Sequence, residues 1–469
     1  METFNTEYAE DWEPVKTEPG MPPKLVAWRQ KLSEKAKQEK KFRFYSLYSL
    51  VIHPDTLKWA WKLVRRNKGA PGADGVTFDR IEQQEGGVDR FLGELEKELK
   101  EKTYKAQPVR RVFIEKENGK LRPLGIPGIK DRVAQMAVKL IIEPIYEADF
   151  NDCSYGYRPG RSAQDAIKAI QGHLKDGKSE VYDADLSGYF DSIPHDKLMA
   201  CVQMRIVDGS VLRLIRQWLR APVLEPAEKG KGPKVTRNDK GTPQGGVISP
   251  LLANLYLHWF EVVLLRELKR ERQDAGLVRY ADDFVILASE LSETLKTFIE
   301  EKLEGWMGLR INREKTRCVN LKEDGQRLDF LGYSLRYDRD LQGRPWKYLN
   351  VFPSPKALKR ERAKLRDLTD KRKCFFPIPD LIEKVNRQMR GWSNYYSYGY
   401  PRQAFRGINH YVRERLTATF PEAWAEVLET LTAERLVQKQ AGASMTEMRQ
   451  AAFAKLVTAF GPPDLTQPV

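Results

Sequence analysis

The sequence predicts an α+β fold in which short strands alternate with amphipathic helices and a basic helical segment follows. Apolar residues recur at helical spacing in several stretches, two apolar strands flank a tight turn, and positive charge is concentrated over residues 356–416. The 469 residues are 41% hydrophobic and 31% charged, so the chain can bury a core and is not wholly disordered. The length exceeds what one core organises, and we expect about two to four substructures.

The middle of the chain begins with a helix and a strand. Ser162 and Asp165 form the pattern of a capping box, which predicts a helix directly after the loop SYGYRPGRS. In the stretch SEVYDADL the side chains fall alternately on two faces, Val181, Asp183 and Asp185 on one and Tyr182, Ala184 and Leu186 on the other. This alternation predicts a strand that ends near Asp185. This strand would present a carboxylate at its end.

Three further elements follow in order. Residues 241–250 (GTPQGGVISP) predict a loop, and the apolar run LLANLYLHWFEVVLLREL after it predicts a long buried helix. The stretch LVRYADDFVILAS predicts a hairpin of two short strands around a two-residue turn, Asp282 and Asp283. Asp380 is placed to begin a helix whose apolar face carries Leu381, Val385 and Met389.

The positive charge points to a polyanionic partner. The chain has 80 Lys and Arg against 65 Asp and Glu, a net charge of +15. Residues 356–416 contain 16 Lys and Arg against six Asp and Glu, with aromatic residues between them. Such interleaving suits stacking on unpaired bases beside phosphate contacts, although a solvated helical face over an aromatic core would look the same.

Several classes of protein are not expected. No apolar run approaches the roughly 18 residues that cross a bilayer, so we expect no membrane partner. Residues 1–23 are acidic and predict a mobile leader instead of a secretory signal. The four cysteines are far apart, which argues against disulfides or a Cys-based zinc site and favours the cytoplasm.

Three carboxylates would meet if the strand and the hairpin share a sheet: Asp185, Asp282 and Asp283. Three close carboxylates repel one another unless cations neutralise them, and ligation by oxygen alone favours Mg²⁺. Two such ions can activate a hydroxyl and stabilise a leaving pyrophosphate, so nucleotidyl transfer is predicted. Adjacent Asp residues are also common in turns, where they form local hydrogen bonds, and the hairpin alone favours that purely structural role.

The ordered motifs around these residues resemble those of bacterial group II intron reverse transcriptases, also called maturases. The resemblance runs from about Asn67 to Leu416. Its motifs include, in chain order, NKGAPGADGVT, IEKENGKLRP, SYGYRPGRSAQDAI, DADLSGYFDSIPH, GTPQGGVISPLLANLYL, RYADDFVIL, LRINREKT, FLGYSL, LIEKVNRQMRGWSNYY and INHYVRERL. The resemblance implies a right-hand polymerase, with fingers and palm over residues 24–345 and a helical thumb or maturase domain over residues 346–420. Residues 421–469 are expected to form a helical extension.

The resemblance also implies an activity. It implies DNA synthesis from dNTPs on an RNA template, from a DNA or RNA primer, with two Mg²⁺ ions that Mn²⁺ can replace. It further implies binding of structured intron RNA in support of splicing and retrohoming. No paired Cys motifs follow the basic segment, so an endonuclease domain is not expected. A stand-alone relative in repair or antiphage defence, or a splicing factor with a vestigial polymerase site, stays open.

Matched position by position, the resemblance makes Asp185, Asp282 and Asp283 the metal-binding triad. Lys116 and Arg122 are implied to hold the triphosphate of the incoming nucleotide, Arg through paired contacts and Lys as a point charge. A basic hairpin without this role is the alternative.

Other residues are implied to contact the nucleotide. Phe190 matches the bulky gate beneath the sugar, with Tyr189 as the competing choice and a core aromatic as the alternative role. Gln244 matches a residue that touches the sugar and base, while loop structure alone is the alternative. Lys315 could protonate the departing pyrophosphate as general acid, or be an ordinary surface lysine.

The remaining candidates concern nucleic acid. Gly332, in FLGYSL, matches the primer grip that presents the primer 3′ end, although a buried strand would look similar. The residues expected to contact RNA or the template duplex are Arg390, Trp392, Tyr395 and Tyr396. Packing of the thumb core is the alternative for several of them.

Overall fold

The computed structural model describes residues 18–115, 119, 121–226, 234–339, 346–373 and 377–419. The predictions for Lys116, for the leader up to residue 17 and for the C-terminal extension lie outside the described residues. The chain divides into two compact units between Val319 and Asn320.

The first unit contains most of the helices and two four-stranded sheets. Its helices are α1 (Pro23–Gln38), α2 (Tyr48–Val51), α3 (Pro54–Arg66), α4 (Phe78–Gln83), α5 (Gly87–Lys100), α6 (Ile129–Glu147), α7 (Ala163–Lys175), α8 (Tyr189–Ser192), α9 (His195–Gln203), α10 (Gly209–Leu219), α11 (Ser249–Arg270) and α12 (Glu293–Glu300), which a π-helical turn (Glu301–Trp306) extends. Its strands are β1 (Val109–Glu115), β2 (Leu121–Ile126), β3 (Glu180–Ala184), β4 (Val223–Glu225), β5 (Lys234–Thr236), β6 (Ala275–Tyr280), β7 (Asp283–Ala288) and β8 (Arg317–Asn320).

The capping box and the long helix are confirmed. The Ser162 hydroxyl accepts from the Asp165 backbone N–H, and the Asp165 carboxylate accepts from the Ser162 backbone N–H, so α7 begins at Ala163. The apolar run after the GTPQGG loop forms α11, whose buried side includes Phe260. The Phe260 ring lies 5.5 Å from the ring of Phe284, so α11 packs on β7.

One sheet has the strand order β6-β7-β3-β8. Strand β7 pairs antiparallel with β6 and with β3, and its residues 284–288 are buried. A second sheet has the order β2-β1-β4-β5, in which β1 and β2 form an antiparallel hairpin. Because this hairpin is joined to the rest of the sheet only through β1, its outer strand β2 stays largely accessible.

The second unit combines a small sheet with helices. Its strands are β9 (Leu328–Phe330), β10 (Tyr333–Arg339) and β11 (Lys347–Pro353), with β10 in the centre and both pairings antiparallel. Its helices are α13 (Pro355–Leu368), α14 (Ile378–Tyr395) and α15 (Arg402–Thr419), with a short 3₁₀ turn (Lys371–Lys373) after α13.

The predicted apolar face of α14 is confirmed. Leu381 and Val385 are buried in a small core with residues of α13 and α15, and Met389 packs against that core. The prediction that Asp380 caps this helix is wrong: Pro377 precedes the first helical residue, Ile378, and Asp380 lies in the first turn. The predicted α+β fold class is also confirmed.

Within the described ranges, none of the helices combines the length and the apolar character that crossing a lipid bilayer requires.

Candidate active site

Strands β3 and β7 bring the three predicted carboxylates to one end of their sheet. Asp185 follows β3 directly, and Asp283 is the first residue of β7. The register pairs Ala184 with Phe284, so the chain continues past β3 beside Asp283. Asp282 lies in the turn just before β7. Two stretches almost a hundred residues apart thus supply one acidic cluster.

The hairpin turn differs from its prediction by one residue. Tyr280 pairs with Asp283, so the turn consists of Ala281 and Asp282, and the predicted turn of Asp282 and Asp283 is wrong. Ala281 has φ +60°, a left-handed backbone conformation that residues other than glycine rarely adopt. A Cβ on Gly156 would lie too close to the Ala281 backbone nitrogen, so the loop of residues 151–160 closes on the turn at a glycine.

A fully buried arginine supports this turn. The Arg279 guanidinium donates to the Ala281 carbonyl (2.8 Å), to Asn254 Oδ1 (2.9 Å) and to Ser154 Oγ (2.6 Å), and it pairs with Glu261. Although burial opposes its ionisation, Arg279 lowers the pKa of Glu261 to about 2. The sequence analysis missed this network. The sequence does contain a signal for it, because Glu261 and Arg279 are charged residues that each stand within an otherwise apolar run.

The electrostatics of the acidic cluster favour the binding of a cation. Desolvation, followed by the charges of Asp282 and Asp185, raises the pKa of Asp283 to about 7. Desolvation also raises the pKa of Asp282. Asp283 itself is still exposed to water, so solvent moderates the effect, and the neighbouring carboxylates add to desolvation in disfavouring its ionisation.

The donor atoms fit a hard divalent cation, but the side chains do not already enclose one. Carboxylate oxygens are the ligands that Mg²⁺ prefers. Among the residues that the structure describes, no group of three or more His, Cys, Asp or Glu side chains is arranged to hold a metal ion.

Asp185 is instead held by residues 310–316. Lys315 Nζ lies 3.1 Å from both carboxylate oxygens, and Asn312 Nδ2 donates to Oδ2 (3.0 Å). The Asp185 backbone N–H donates to Thr316 Oγ1 (3.2 Å), and the Asn312 N–H donates to the Asp185 carbonyl (2.8 Å). The predicted Lys315 thus contacts the predicted triad.

Phe190 and Gln244 are linked through two backbone segments. The Phe190 carbonyl accepts from the Thr242 N–H (2.7 Å), and Gln244 Nε2 donates to Asp191 Oδ2 (3.0 Å). A Cβ on Gly241 would lie 2.7 Å from the Phe190 carbonyl oxygen, so this approach depends on glycine. The structure therefore brings these two predicted residues together.

The competing residue Tyr189 has a different environment. It is 2% exposed, and its hydroxyl donates to the Ala253 carbonyl (2.5 Å). Phe190 is only partly buried, so its ring is the more accessible of the two. The geometry favours Phe190 over Tyr189 for contact with a ligand.

Arg122 lies exposed on β2, near an aromatic residue that the sequence analysis did not single out. Tyr157 has φ +59°, is 54% exposed and meets the Phe190 ring edge to face at 6.4 Å. Desolvation and then the charge of Asp282 raise the pKa of Tyr157, while Arg122 opposes this. Tyr157 is thus close to Arg122, Asp282 and Phe190. The sequence signal for Tyr157 is an aromatic residue in a loop, YGYRPG, with a glycine on either side of it.

The β2 hairpin is tied to the Gln244 loop. The Gly125 N–H donates to the Gln244 carbonyl (2.6 Å), and a Cβ on Gly245 would lie 2.5 Å from the Gly125 carbonyl oxygen. The strand that carries Arg122 therefore has a backbone connection to the loop that carries Gln244.

The second unit joins Gly332 to two of the predicted thumb residues. Gly332, between β9 and β10, has φ +82°, and a Cβ there would overlap the Tyr396 hydroxyl. Tyr395 Oη donates to the Leu331 carbonyl (2.9 Å). Tyr396 is 3% exposed and has the contacts of a packing residue, the alternative that the sequence left open. Arg390, in contrast, is exposed, and Trp392 is partly buried.

Comparisons with known proteins agree with the motifs. Residues 114–335 match the family model "Reverse transcriptase (RNA-dependent DNA polymerase)", and residues 358–428 match "Group II intron, maturase-specific domain". The chain is 34% identical over 365 residues to Protein YkfC of Escherichia coli (strain K12), covering 70% of this chain and 92% of that protein.

A second relative carries the family in its name. The chain is 29% identical over 439 residues to the group II intron-encoded protein LtrA of Lactococcus lactis subsp. cremoris, covering 75% of this chain and 70% of that protein. One solved chain, from a partial Cas6-RT-Cas1–Cas2 complex, is 24% identical, with a TM-score of 0.34 and coverage of 55% of this chain and 41% of that one. This structural likeness is too weak to carry an argument.

The family match extends over both units, from the strands that bear the carboxylates to the helices of the basic segment. Reverse transcriptases work on RNA and use divalent metal ions. The chain belongs to the family of group II intron-encoded reverse transcriptases and maturases, and it is an RNA-directed DNA polymerase.

Proposed function

We propose that the chain extends a DNA or RNA primer with dNTPs on an RNA template through two-metal nucleotidyl transfer. The observation that carries this proposal is the meeting of Asp185, Asp282 and Asp283 at one end of a single sheet. Desolvation, with the charges of neighbouring carboxylates added to it, raises the pKa of Asp282 and Asp283, and a bound cation would oppose both effects.

Asp185, Asp282 and Asp283 hold two Mg²⁺ ions in this proposal, and Mn²⁺ can replace them. When bound, such ions activate the primer 3′ hydroxyl and stabilise the charge of the leaving pyrophosphate. The oxygen-only donor set supports the choice of Mg²⁺. Arg279 supports the hairpin turn from beneath, which keeps Asp282 and Asp283 at a defined place relative to Asp185.

The incoming nucleotide is held by four residues. Arg122, with Lys116, grips the triphosphate, Phe190 packs beneath the sugar and Gln244 touches the sugar and base. The exposed position of Arg122 and the hydrogen bonds that connect Phe190, Thr242 and Gln244 support these roles.

Lys315 acts as the general acid. As the bond between the α-phosphorus and its bridging oxygen breaks, the ammonium group donates a proton to pyrophosphate, and the resulting amine regains a proton from water. The position of Lys315 Nζ beside Asp185 supports this role, because it places an ammonium at the acidic cluster.

The basic second part of the chain binds nucleic acid. Gly332 belongs to the primer grip, and Arg390, Trp392 and Tyr395 contact the template duplex or structured intron RNA, in support of splicing and retrohoming. Fingers and palm span residues 24–345 in this proposal, and the thumb spans residues 346–420. The exposed Arg390 and the surplus of 16 Lys and Arg over six Asp and Glu in residues 356–416 support binding to polyanions.

The cellular setting follows from the cysteines and the substrates. The described cysteines, Cys153, Cys201 and Cys318, are free thiols. Because free thiols persist in a reducing compartment, where dNTPs and RNA are also present, we place the activity in the cytoplasm.

Primer extension on poly(rA)/oligo(dT) with Mg²⁺ tests the proposal. Asp282→Asn together with Asp283→Asn removes two of the three negative charges, and extension should fall by about 10³-fold or more. RNA affinity should change by no more than about twofold, since that affinity comes mainly from basic residues. Asp176→Asn, an exposed aspartate on the same unit, is the matched control and should extend normally. Undiminished extension by the double variant would refute the metal-binding role.

A further inference from the structure

The two long helices of the second unit enclose a cavity whose lining is both aromatic and polar. It has a volume of about 440 Å³, within the roughly 300–1,000 Å³ range of sites that bind small organic groups. Helix α14 contributes Asn386, Met389 and Trp392, and helix α15 contributes Phe405 and Asn409. None of the lining residues in the described part of the chain is acidic.

The aromatic wall suits a flat, unsaturated ligand. The rings of Trp392 and Phe405 meet at 5.6 Å with an interplanar angle of 62°, and both residues are only partly buried. Trp392 also contacts the buried Tyr396 at 5.0 Å, which fixes its ring from the side of the β9–β10 turn. A fixed aromatic side chain beside a cavity stacks on nucleobases at low entropic cost.

One polar atom of this wall forms no hydrogen bond with the described residues. Trp392 Nε1 is buried and has no hydrogen-bond partner among the described residues. A buried donor without an acceptor costs about 1–3 kcal/mol, so a ligand that brings an acceptor would be favoured. Nucleobases carry carbonyl and ring-nitrogen acceptors, whereas an aliphatic side chain of a protein partner carries none.

The side-chain amides and the positive charge at the cavity restrict the class of ligand further. Asn386 and Asn409 can each donate and accept, which matches the mixed donor and acceptor edge of a base. Arg390 is exposed at the cavity and is part of a segment with 16 Lys and Arg against six Asp and Glu. A base that enters the cavity brings its phosphates to positively charged surroundings.

We propose that the cavity between α14 and α15 binds a single unpaired nucleobase, one that is turned out of a structured RNA held by the basic surface. This inference rests on the proposed binding of structured RNA and adds a base-specific contact to it. Phe405 stacks on the ring of the base, Trp392 Nε1 and the two asparagines bond its edge, and Arg390 contacts a neighbouring phosphate.

The test uses two RNA hairpins of equal length and charge, one fully paired and one with a single bulged 2-aminopurine. The full chain should bind the bulged hairpin at least about fivefold more tightly, and the fluorescence of the bulged base should fall as it stacks. Phe405→Leu should abolish both the preference and the quenching. Asn409→Ala changes an exposed residue and should reduce the preference by about twofold, without abolishing it and without affecting folding.

The matched control is Trp346→Leu, which removes an exposed tryptophan of the same unit away from the cavity lining. It should keep both the preference and the quenching. Equal affinity of the unchanged protein for the two hairpins would overturn the nucleobase site alone. Failure to bind either hairpin would overturn the proposed RNA binding and the nucleobase site together.

Discussion

Lys315 Nζ lies 3.1 Å from each carboxylate oxygen of Asp185, so an ammonium group is paired with the first residue of the acidic cluster. The two residues come from different segments of the chain. An isolated antiparallel β-bridge between Leu186 and Ile311, together with the hydrogen bonds of Asn312, holds these segments together. The pairing supports the charge of Asp185, and this support is separable from the proposed donation of a proton by Lys315. A lysine and an arginine differ in how well they fill the second role.

Substitution of Lys315 separates these roles. Lys315→Ala should lower the rate of nucleotide addition by about 100-fold, a typical contribution of a general acid. Lys315→Arg keeps the positive charge beside Asp185, but a guanidinium is a poor proton donor and should restore little activity. Single-turnover primer extension measures both. Full rescue by arginine would show that Lys315 acts only through its charge. Lys322→Ala, an exposed lysine elsewhere, serves as the control.

Sugar selection should depend on Phe190. Phe190→Ala opens space beneath the sugar and should raise the use of ribonucleotides relative to deoxyribonucleotides by roughly tenfold or more, measured as a ratio of kcat/KM values. Tyr189→Phe removes a buried hydrogen bond to the Ala253 carbonyl and should cost about 1 kcal/mol of stability without a change in selectivity. An unchanged ratio in Phe190→Ala would reject the gate assignment.

The buried pair beneath the hairpin should couple strongly. Arg279→Met leaves Glu261 buried without its arginine partner, with only Asn151 and His258 beside it, and should lower the free energy of unfolding by roughly 3–5 kcal/mol, as should Glu261→Met. The double variant should cost less than the sum of the two, because no unpaired charge is left buried. Denaturant unfolding of the four proteins gives the coupling energy. Additive losses would contradict the assigned ion pair.

Stability should depend on pH through Asp131. Burial raises the pKa of Asp131 to about 6, although its oxygens accept from the Tyr104 hydroxyl (2.5 Å) and the Gln107 N–H (2.9 Å). A carboxyl whose pKa is higher in the folded state binds protons more tightly there, so its contribution to stability falls as pH rises from about 4 to 6.

Asp131→Asn should remove this dependence. Relative to the unchanged protein, the variant should gain about 2 kcal/mol in free energy of unfolding between pH 4 and pH 7, since the pKa differs by about two units between the folded and unfolded states. Asp176→Asn, at an exposed site, should follow the unchanged protein. Parallel curves for Asp131→Asn and the unchanged protein would contradict the prediction.

Local signals were enough to predict several elements. Ser162 and Asp165 cap α7 because their mutual hydrogen bonds need only four consecutive residues. Helix α11 follows from a long apolar run, and β3 and β7 follow from their alternating or apolar side chains. The approximate position of the hairpin was also predictable, whereas its turn was placed one residue too late. Pairing between strands sets that register, and a dipeptide does not reveal it.

Contacts between distant residues could not be predicted in this way. The buried Arg279 bonds Ser154, Asn254 and Glu261, which lie on different segments, and nothing in the local sequence states that these segments meet. The same holds for Tyr157 beside Phe190 and for Tyr396 behind Gly332. These relationships depend on the packing of whole helices and strands.

By itself, the sequence determined the class of fold, the family and the identity of the acidic residues, because capping, apolar periodicity and ordered motifs are properties of short segments. Only the tertiary structure decided that Lys315 pairs with Asp185, that Arg279 supports the turn before Asp283 and that Trp392 lines a cavity. The physical reason is that burial and ion pairing depend on distances in space, which chain folding brings about between residues far apart in sequence.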